Sequence, residues 1–261
     1  MQQRHELVDT HCHLAEPPLA GATADVLARA RQSGVGRILT VGTTLDDSRA
    51  NVALARQHPG VRAGVGVHPN EAGSLAPDIW DQIEALAADP AVGAIGEVGL
   101  DFYRQTASPE RQRDAFRGFI RLARRRRLPL AIHCRNAHDQ LLAVLREEAR
   151  DGLAGVIHCA SGPPAFIEAA VAMGLHVSFA GNVTFPNAQA VRALVPLVPD
   201  DRLLMETDAP FLAPQPVRGR PNEPAYLAHT AAVVAQLRGV SPETLASLTS
   251  RNASRLFGFP A

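Results

Sequence analysis

Six residues that can bind metal ions or move protons each close a short apolar run in this chain. The first group is Asp9-Thr10-His11-Cys12-His13, directly after such a run. Residues two apart on a strand point to one side, so His11 and His13 can share one ion. A lone His-x-His pair is weak evidence. The pattern strengthens because Glu97, His133 and His158 end three further runs, and Asp208 lies in Glu206-Thr207-Asp208-Ala209-Pro210 after another. Converging on one mouth, four histidines and two carboxylates could hold two divalent ions with open positions for water and substrate. A single histidine is more often an ordinary packed residue with a backbone partner. His5, His58, His138, His176 and His229 are read that way, because they fall on helices or at strand starts.

The elements that would bring these residues together alternate along the whole chain. Strands are expected at 6–9, 37–41, 61–67, 91–97, 128–133, 155–158, 176–179 and 202–206. Several are continuous Val, Ile, Leu and Ala, as parallel strands covered by helices should be. Amphipathic patterns predict helices at 24–32, 47–57, 77–88, 109–126, 137–150, 164–173, 189–195, 226–237 and 242–257. Ser108-Pro109-Glu110 and Ser241-Pro242-Glu243 are helix starts, a capping serine before proline at the first helical position. Eight strand–helix units predict a closed (β/α)8 TIM barrel over residues 1–261 as a single domain, with an open doubly wound sheet as the rival. The proline-rich run 209–224 reads as a rigid loop after the eighth strand, since too little sequence follows to build a second core.

Composition narrows the partners. All 26 basic residues are arginine, and the acidic residues also number 26, so global charge cannot drive nucleic-acid binding. Any such contact must be local. Arg124-Arg125-Arg126-Arg127 ends a helix on the face opposite the strand ends and reads as a solvated helix terminus. The polar start has no secretory h-region, and no apolar stretch spans a bilayer. With three cysteines, an odd number, the expectation is a cytoplasmic protein with reduced thiols and no membrane partner. Cys12, Cys134 and Cys159 each follow a candidate ligand, so alternation should turn their thiols toward the helix layer as packing residues.

The chain resembles the TatD family of metal-dependent deoxyribonucleases, within the amidohydrolase superfamily. The resemblance rests on Asp9-Thr10-His11-Cys12-His13-Leu14, Gly66-Val67-His68-Pro69, Gly96-Glu97-Val98-Gly99-Leu100-Asp101, His158-Cys159-Ala160-Ser161-Gly162, Glu206-Thr207-Asp208-Ala209-Pro210 and Asn222-Glu223-Pro224-Ala225-Tyr226. It implies that His11, His13 and Asp208 hold one metal, that His133 and His158 hold a second, and that Glu97 bridges them. It also implies magnesium or manganese in action, while histidine-rich sites accept zinc. Asp208 would then be both ligand and general base, with Glu97 the other catalytic carboxylate. Two positions depart from the family pattern: Ala160 where phenylalanine is frequent, and Arg220 where lysine is common.

Around that centre, His68 and Asp101 are expected to orient ligands or the scissile phosphate. Arg135 and Arg220 suit phosphate oxygens, Tyr103 could stack on a base, and Glu206 lies one layer deeper than Asp208. The leading expectation is a 3′–5′ exonuclease for single-stranded DNA ends, with RNA or damaged ends as further substrates and a monomer favoured. The same centre could instead hydrolyse an ester or amide, as in an aminoacyl-tRNA deacylase. A metal-stabilised scaffold without turnover is the non-enzyme alternative.

Overall fold

In a computed structural model, residues 6–148 and 152–259 are described. His5 and the last two residues of the expected helix 137–150 lie outside them. The strands are β1 (Leu7–Cys12), β2 (Val35–Val41), β3 (Val61–Val65), β4 (Val92–Asp101), β5 (Leu130–Arg135), β6 (Gly155–Ile157), β7 (His176–Phe179) and β8 (Leu203–Met205). They form one parallel sheet in chain order, each strand beside the next. The main helices are α1 (Thr23–Gln32), α2 (Leu45–Gln57), α3 (Pro77–Leu86), α4 (Pro109–Arg126), α5 (His138–Glu148), α6 (Pro164–Ala172), α7 (Gln189–Leu194), α8 (Leu227–Arg238) and α9 (Pro242–Phe257). The fold is a (β/α)8 barrel. Both serine–proline starts are realised: the Ser108 and Ser241 hydroxyls accept the backbone N–H of Arg111 and Thr244.

Two apolar layers hold the barrel. Val8, Leu39, Val41, Ala94, Ala131, Val156 and Leu204 fill its interior, and Phe257 at the end of α9 and Phe259 just beyond it close the foot. A larger layer packs the outer strand faces against the helices. The seam between β1 and β8 is tied near the mouth. Thr10 Oγ1 donates to the Met205 carbonyl at 2.9 Å, and the Asp208 N–H donates to the His11 carbonyl at 2.8 Å. The Asp9 carboxylate accepts both the N–H (2.9 Å) and the hydroxyl (2.5 Å) of Thr207.

Strands β1, β4 and β5 run further than the sequence reading gives them. In each, polar residues interrupt the apolar pattern (Thr10 and His11, Glu97, His133) before the ladder ends. Two of them also slip register. Asp9 lies opposite Ile38 and Cys12 opposite Thr40, so β1 spends three steps against two of β2. Ile95 and Val98 of β4 do the same against Leu130 and Ile132 of β5. An extra residue of this kind bends a strand and re-aims the side chains after it.

Candidate metal centre

These two irregularities aim the first candidate ligands. Without one, Val8 and Thr10, which face the barrel interior, would turn His11 outward. The bulge brings His11 and His13 to the mouth and sends Cys12 into the outer core. In β4 it turns Glu97 inward between outward-packed Ile95 and Val98. The neighbour Gly96 has no room for a side chain: a Cβ there would lie 2.5 Å from Ala131 Cβ and 2.8 Å from its carbonyl oxygen. His158 and Asp208 stand just past β6 and β8, and Asp208 takes a left-handed backbone (φ 57°).

Glu97 divides the cluster. Its Oε2 faces His11 Nε2 at 3.4 Å and His13 Nε2 at 3.6 Å. The Asp208 Oδ1 lies 3.7 Å and 3.4 Å from the same two nitrogens. Glu97 Oε1 faces the other side, 2.7 Å from His133 Nδ1 and 3.0 Å from His158 Nε2. One carboxylate thus presents one oxygen to each of two donor sets.

The outer partners fix which nitrogen each histidine can offer. His13 Nδ1 lies 3.2 Å from the Val41 carbonyl and must donate to it, leaving the Nε2 lone pair for the mouth. His158 Nδ1 lies 3.3 Å from Glu206 Oε1, and His133 Nε2 lies 3.4 Å from Asp101 Oδ2. Both arrangements turn the opposite nitrogen toward Glu97. His11 is fully buried, yet neither ring nitrogen has a hydrogen-bond partner. Buried polar atoms are almost always paired, so the orphaned Nε2 fits a cation between it and the Glu97 and Asp208 carboxylates. Three residue groups in the mouth have donor atoms within 4.8 Å of one another: His11–His158–Asp208, His11–His13–Glu97 and His68–Glu97–His133.

Charges in the cluster are mutually dependent. Burial opposes an imidazolium at His158, but Glu97 and Glu206 outweigh it and hold its pKa well above the usual histidine range. Burial likewise opposes charge on Glu97, and His158 and His68 outweigh it, keeping the carboxylate well below its ordinary range. Asp208 is also lowered, against burial, by His13 and His11. Protons on histidines here supply the positive charge that metal ions would supply. His68 differs. Burial pushes it down to about 4, and its Nδ1 accepts the Asn70 N–H at 3.1 Å. It is therefore neutral at pH 7 with its proton on Nε2, 3.6 Å from Glu97 Oε1. That makes His68 a hydrogen-bond donor into the mouth and not a lone-pair donor.

Supporting residues hold this set in place, and Asn70, Gln112 and Arg29 among them were not singled out from sequence. Asp101 Oδ1 accepts the N–H groups of Tyr103 and Arg104, and its Oδ2 accepts Asn70 Nδ2. Gln112 clamps the Asp101 backbone through both its N–H and carbonyl. Asn222 donates to the carbonyls of Thr207 (2.8 Å) and Phe211 (2.7 Å), which fastens the loop beyond Asp208. Its neighbour Glu223 binds Arg29 of α1 through two nitrogens. Glu206, completely buried, accepts the Cys159 N–H at 2.7 Å, so its partners are a histidine and a backbone amide.

A cavity of about 540 Å³ opens over the centre. His13, Glu97, His133, His158 and Asp208 line it, as do His68, Asp101 and Arg135. Tyr103 is 61% exposed beside it, with the Arg135 guanidinium stacked 3.9 Å from its ring centroid. Arg220 lies on an exposed loop and is not among the lining residues. Arg104 and Phe211 line the cavity and were not singled out from sequence, although each directly follows a motif or a residue that was. Cys12 packs in the outer core, and Cys134 lies against it. Cys159 follows the end of β6 in a left-handed conformation, so strand alternation does not set its direction; Asn182 Nδ2 lies 3.7 Å from its sulfur. Burial raises all three thiols, with Cys134 pushed up to about 12, which disfavours thiolate ligation.

The family model for TatD-related DNases matches residues 8–258. The chain belongs to the TatD family. It is 39% identical over 258 residues to the 3′-5′ ssDNA/RNA exonuclease TatD of Erwinia amylovora, spanning 97% of this chain and all of that one. An uncharacterized metal-dependent hydrolase of Bacillus subtilis, YabD, is 36% identical across 96% of this chain and 98% of its own. The crystal structure of YjjV, a TatD homolog from Escherichia coli, superposes with a TM-score of 0.92 at 32% identity, covering 97% and 98% of the two chains. As a TatD-family member the chain is a metal-dependent hydrolase acting on nucleic acid. No helix among the described residues is long and apolar enough to cross a membrane.

Proposed function

We propose that this TatD-family protein is a 3′–5′ exonuclease for single-stranded DNA ends, with RNA and damaged ends as further substrates. It would act as a monomer in the cytoplasm, where free thiols persist. The observation that carries the reading is the division of Glu97: two donor sets share one carboxylate, the arrangement that two-metal hydrolysis of a phosphodiester needs. His11, His13 and Asp208 would hold one divalent ion, His133 and His158 the other, and Glu97 both. Magnesium or manganese suits the working enzyme, and zinc is admissible to these nitrogen donors. When bound, the ions would make water acidic and stabilise negative charge on phosphoryl oxygens.

The protein's own groups divide the remaining work. Asp208, with pKa held low and facing the cavity, would take the proton from the attacking water. His68, neutral with its proton on Nε2, would donate to a phosphoryl or leaving oxygen. Asp101 and Glu206 would hold His133 and His158 in their tautomers from behind. Arg135, joined by Arg104, would bind phosphate. Two arginines converging on the cavity favour phosphodiesters over the esters or amides that the same centre could cleave.

The test is incubation of metal-reconstituted protein with end-labelled single- and double-stranded DNA in manganese, magnesium or zinc. Stepwise shortening of single strands from the 3′ end, absent in Glu97→Ala, is expected. No cleavage with any metal would rule the nuclease reading out in favour of ester or amide hydrolysis.

A further inference from the structure

The wall of the cavity is electrically divided. Its two arginines, Arg104 and Arg135, come from the segments that end β4 and β5, beside exposed Tyr103. Across the mouth, the loop after β1 contributes Glu16 and the first turn of α2 contributes Asp47 to the wall, while Glu71, after β3, stands beside the β4 segment, to which its neighbour Asn70 is bonded through Asp101. The loop after β8, next in the ring to β1, adds Phe211. That phenylalanine is 53% exposed, and its ring meets His13 edge-on at 5.8 Å between centroids. The two exposed aromatic rings, Phe211 against His13 and Tyr103 under Arg135, flank one cluster of candidate metal ligands. An aromatic face beside a phosphodiester centre is a platform for a base.

A nucleic-acid strand carries a phosphate at every step, so it can leave the centre only over the arginine side. The acidic side, which adds negative charge and an apolar ring, suits a nucleoside that bears no further phosphate. We propose that the terminal nucleoside lies on Phe211 against the Glu16–Asp47 wall, so that strands ending in a hydroxyl are trimmed and strands ending in a phosphate monoester are rejected. This rests on the nuclease reading and deepens it. A phosphate monoester would bring close to two negative charges against the Glu16 and Asp47 carboxylates, and like-charge juxtaposition in a partly closed site is strongly unfavourable.

The experiment compares manganese-loaded enzyme on two single-stranded oligonucleotides of one sequence, one ending in a 3′-hydroxyl and one in a 3′-phosphate. The hydroxyl end should be trimmed faster by roughly tenfold or more. Combining Glu16→Gln and Asp47→Asn should collapse that ratio toward one. Phe211→Ala should raise KM for the hydroxyl-ended strand by about tenfold with a smaller change in kcat, and Phe211→Trp should restore it. Equal trimming of both ends by the unaltered enzyme, or a ratio that survives the double substitution, would overturn the assignment alone. If neither oligonucleotide is cut, the nuclease reading falls and the assignment with it.

Discussion

The foot and the mouth of this barrel are built from the same eight strands and handle polarity in opposite ways. At the foot the interior is apolar, sealed by Phe257 and Phe259, and the charges stay outside. Arg125, half-exposed, pairs there with Glu84 at 2.9 Å, and Arg126 caps the Glu84 carbonyl. At the mouth, strands β1 and β4 end in buried ionisable groups and β5 in partly buried His133, and their neighbours are one another. Polar groups at the foot are cheap to keep because water solvates them. Those at the mouth are tolerated only because opposite charges, protons or metal ions, lie between them. Stability is concentrated at one end and chemistry at the other.

The largest break in this contrast should come from Asp208→Asn. Turnover on single-stranded DNA should fall on the order of 10³-fold or more, with an unchanged circular dichroism spectrum. Rates near those of the parent would remove Asp208 from the role of base. At the foot, Phe257→Ala should cost about 3–5 kcal/mol of folding stability in urea titrations while the activity of the folded fraction stays intact. Metal affinity should sharpen the contrast through pH. Because the folded-state pKa of His158 is raised, its protonation stabilises the metal-free protein fully below about pH 6.5, and that contribution is lost as pH rises through the folded value. Metal must displace those protons, so calorimetric affinity should climb as pH rises, by up to about tenfold per unit for each proton released. A pH-independent affinity would place the ions elsewhere. Arg125→Ala at the foot should change stability by only about 0–1 kcal/mol.

Much of this arrangement was legible in the residues. The eight-fold alternation and the serine–proline starts of α4 and α9 rest on local patterns, and local patterns survive folding. The six candidate donors come together because strand ends of a barrel necessarily share one rim. What could not be read was how His11 and Glu97 get there. A bulge depends on the register of two strands distant in sequence, and no single run of residues announces it. The tautomer of His68 depends on the backbone amide of Asn70, and the clamp on Asp101 depends on Gln112 from α4. Arg220 shows the reverse limit: a plausible residue type in a suggestive motif, set on an exposed loop away from the cavity wall.

The seam between β1 and β8 has a consequence for how the protein matures. Asp9 and Thr10 meet Thr207 and Met205 there, and the backbone of His11 receives the Asp208 amide. The first strand of the chain and the last must therefore find each other before His11, His13 and Asp208 can share a neighbourhood. With the ring open, the proposed ligand set is incomplete, so a nascent or partly unfolded chain would not yet cut the nucleic acid around it. Competence for hydrolysis would thus wait on ring closure, and metal capture would serve as a clock for it.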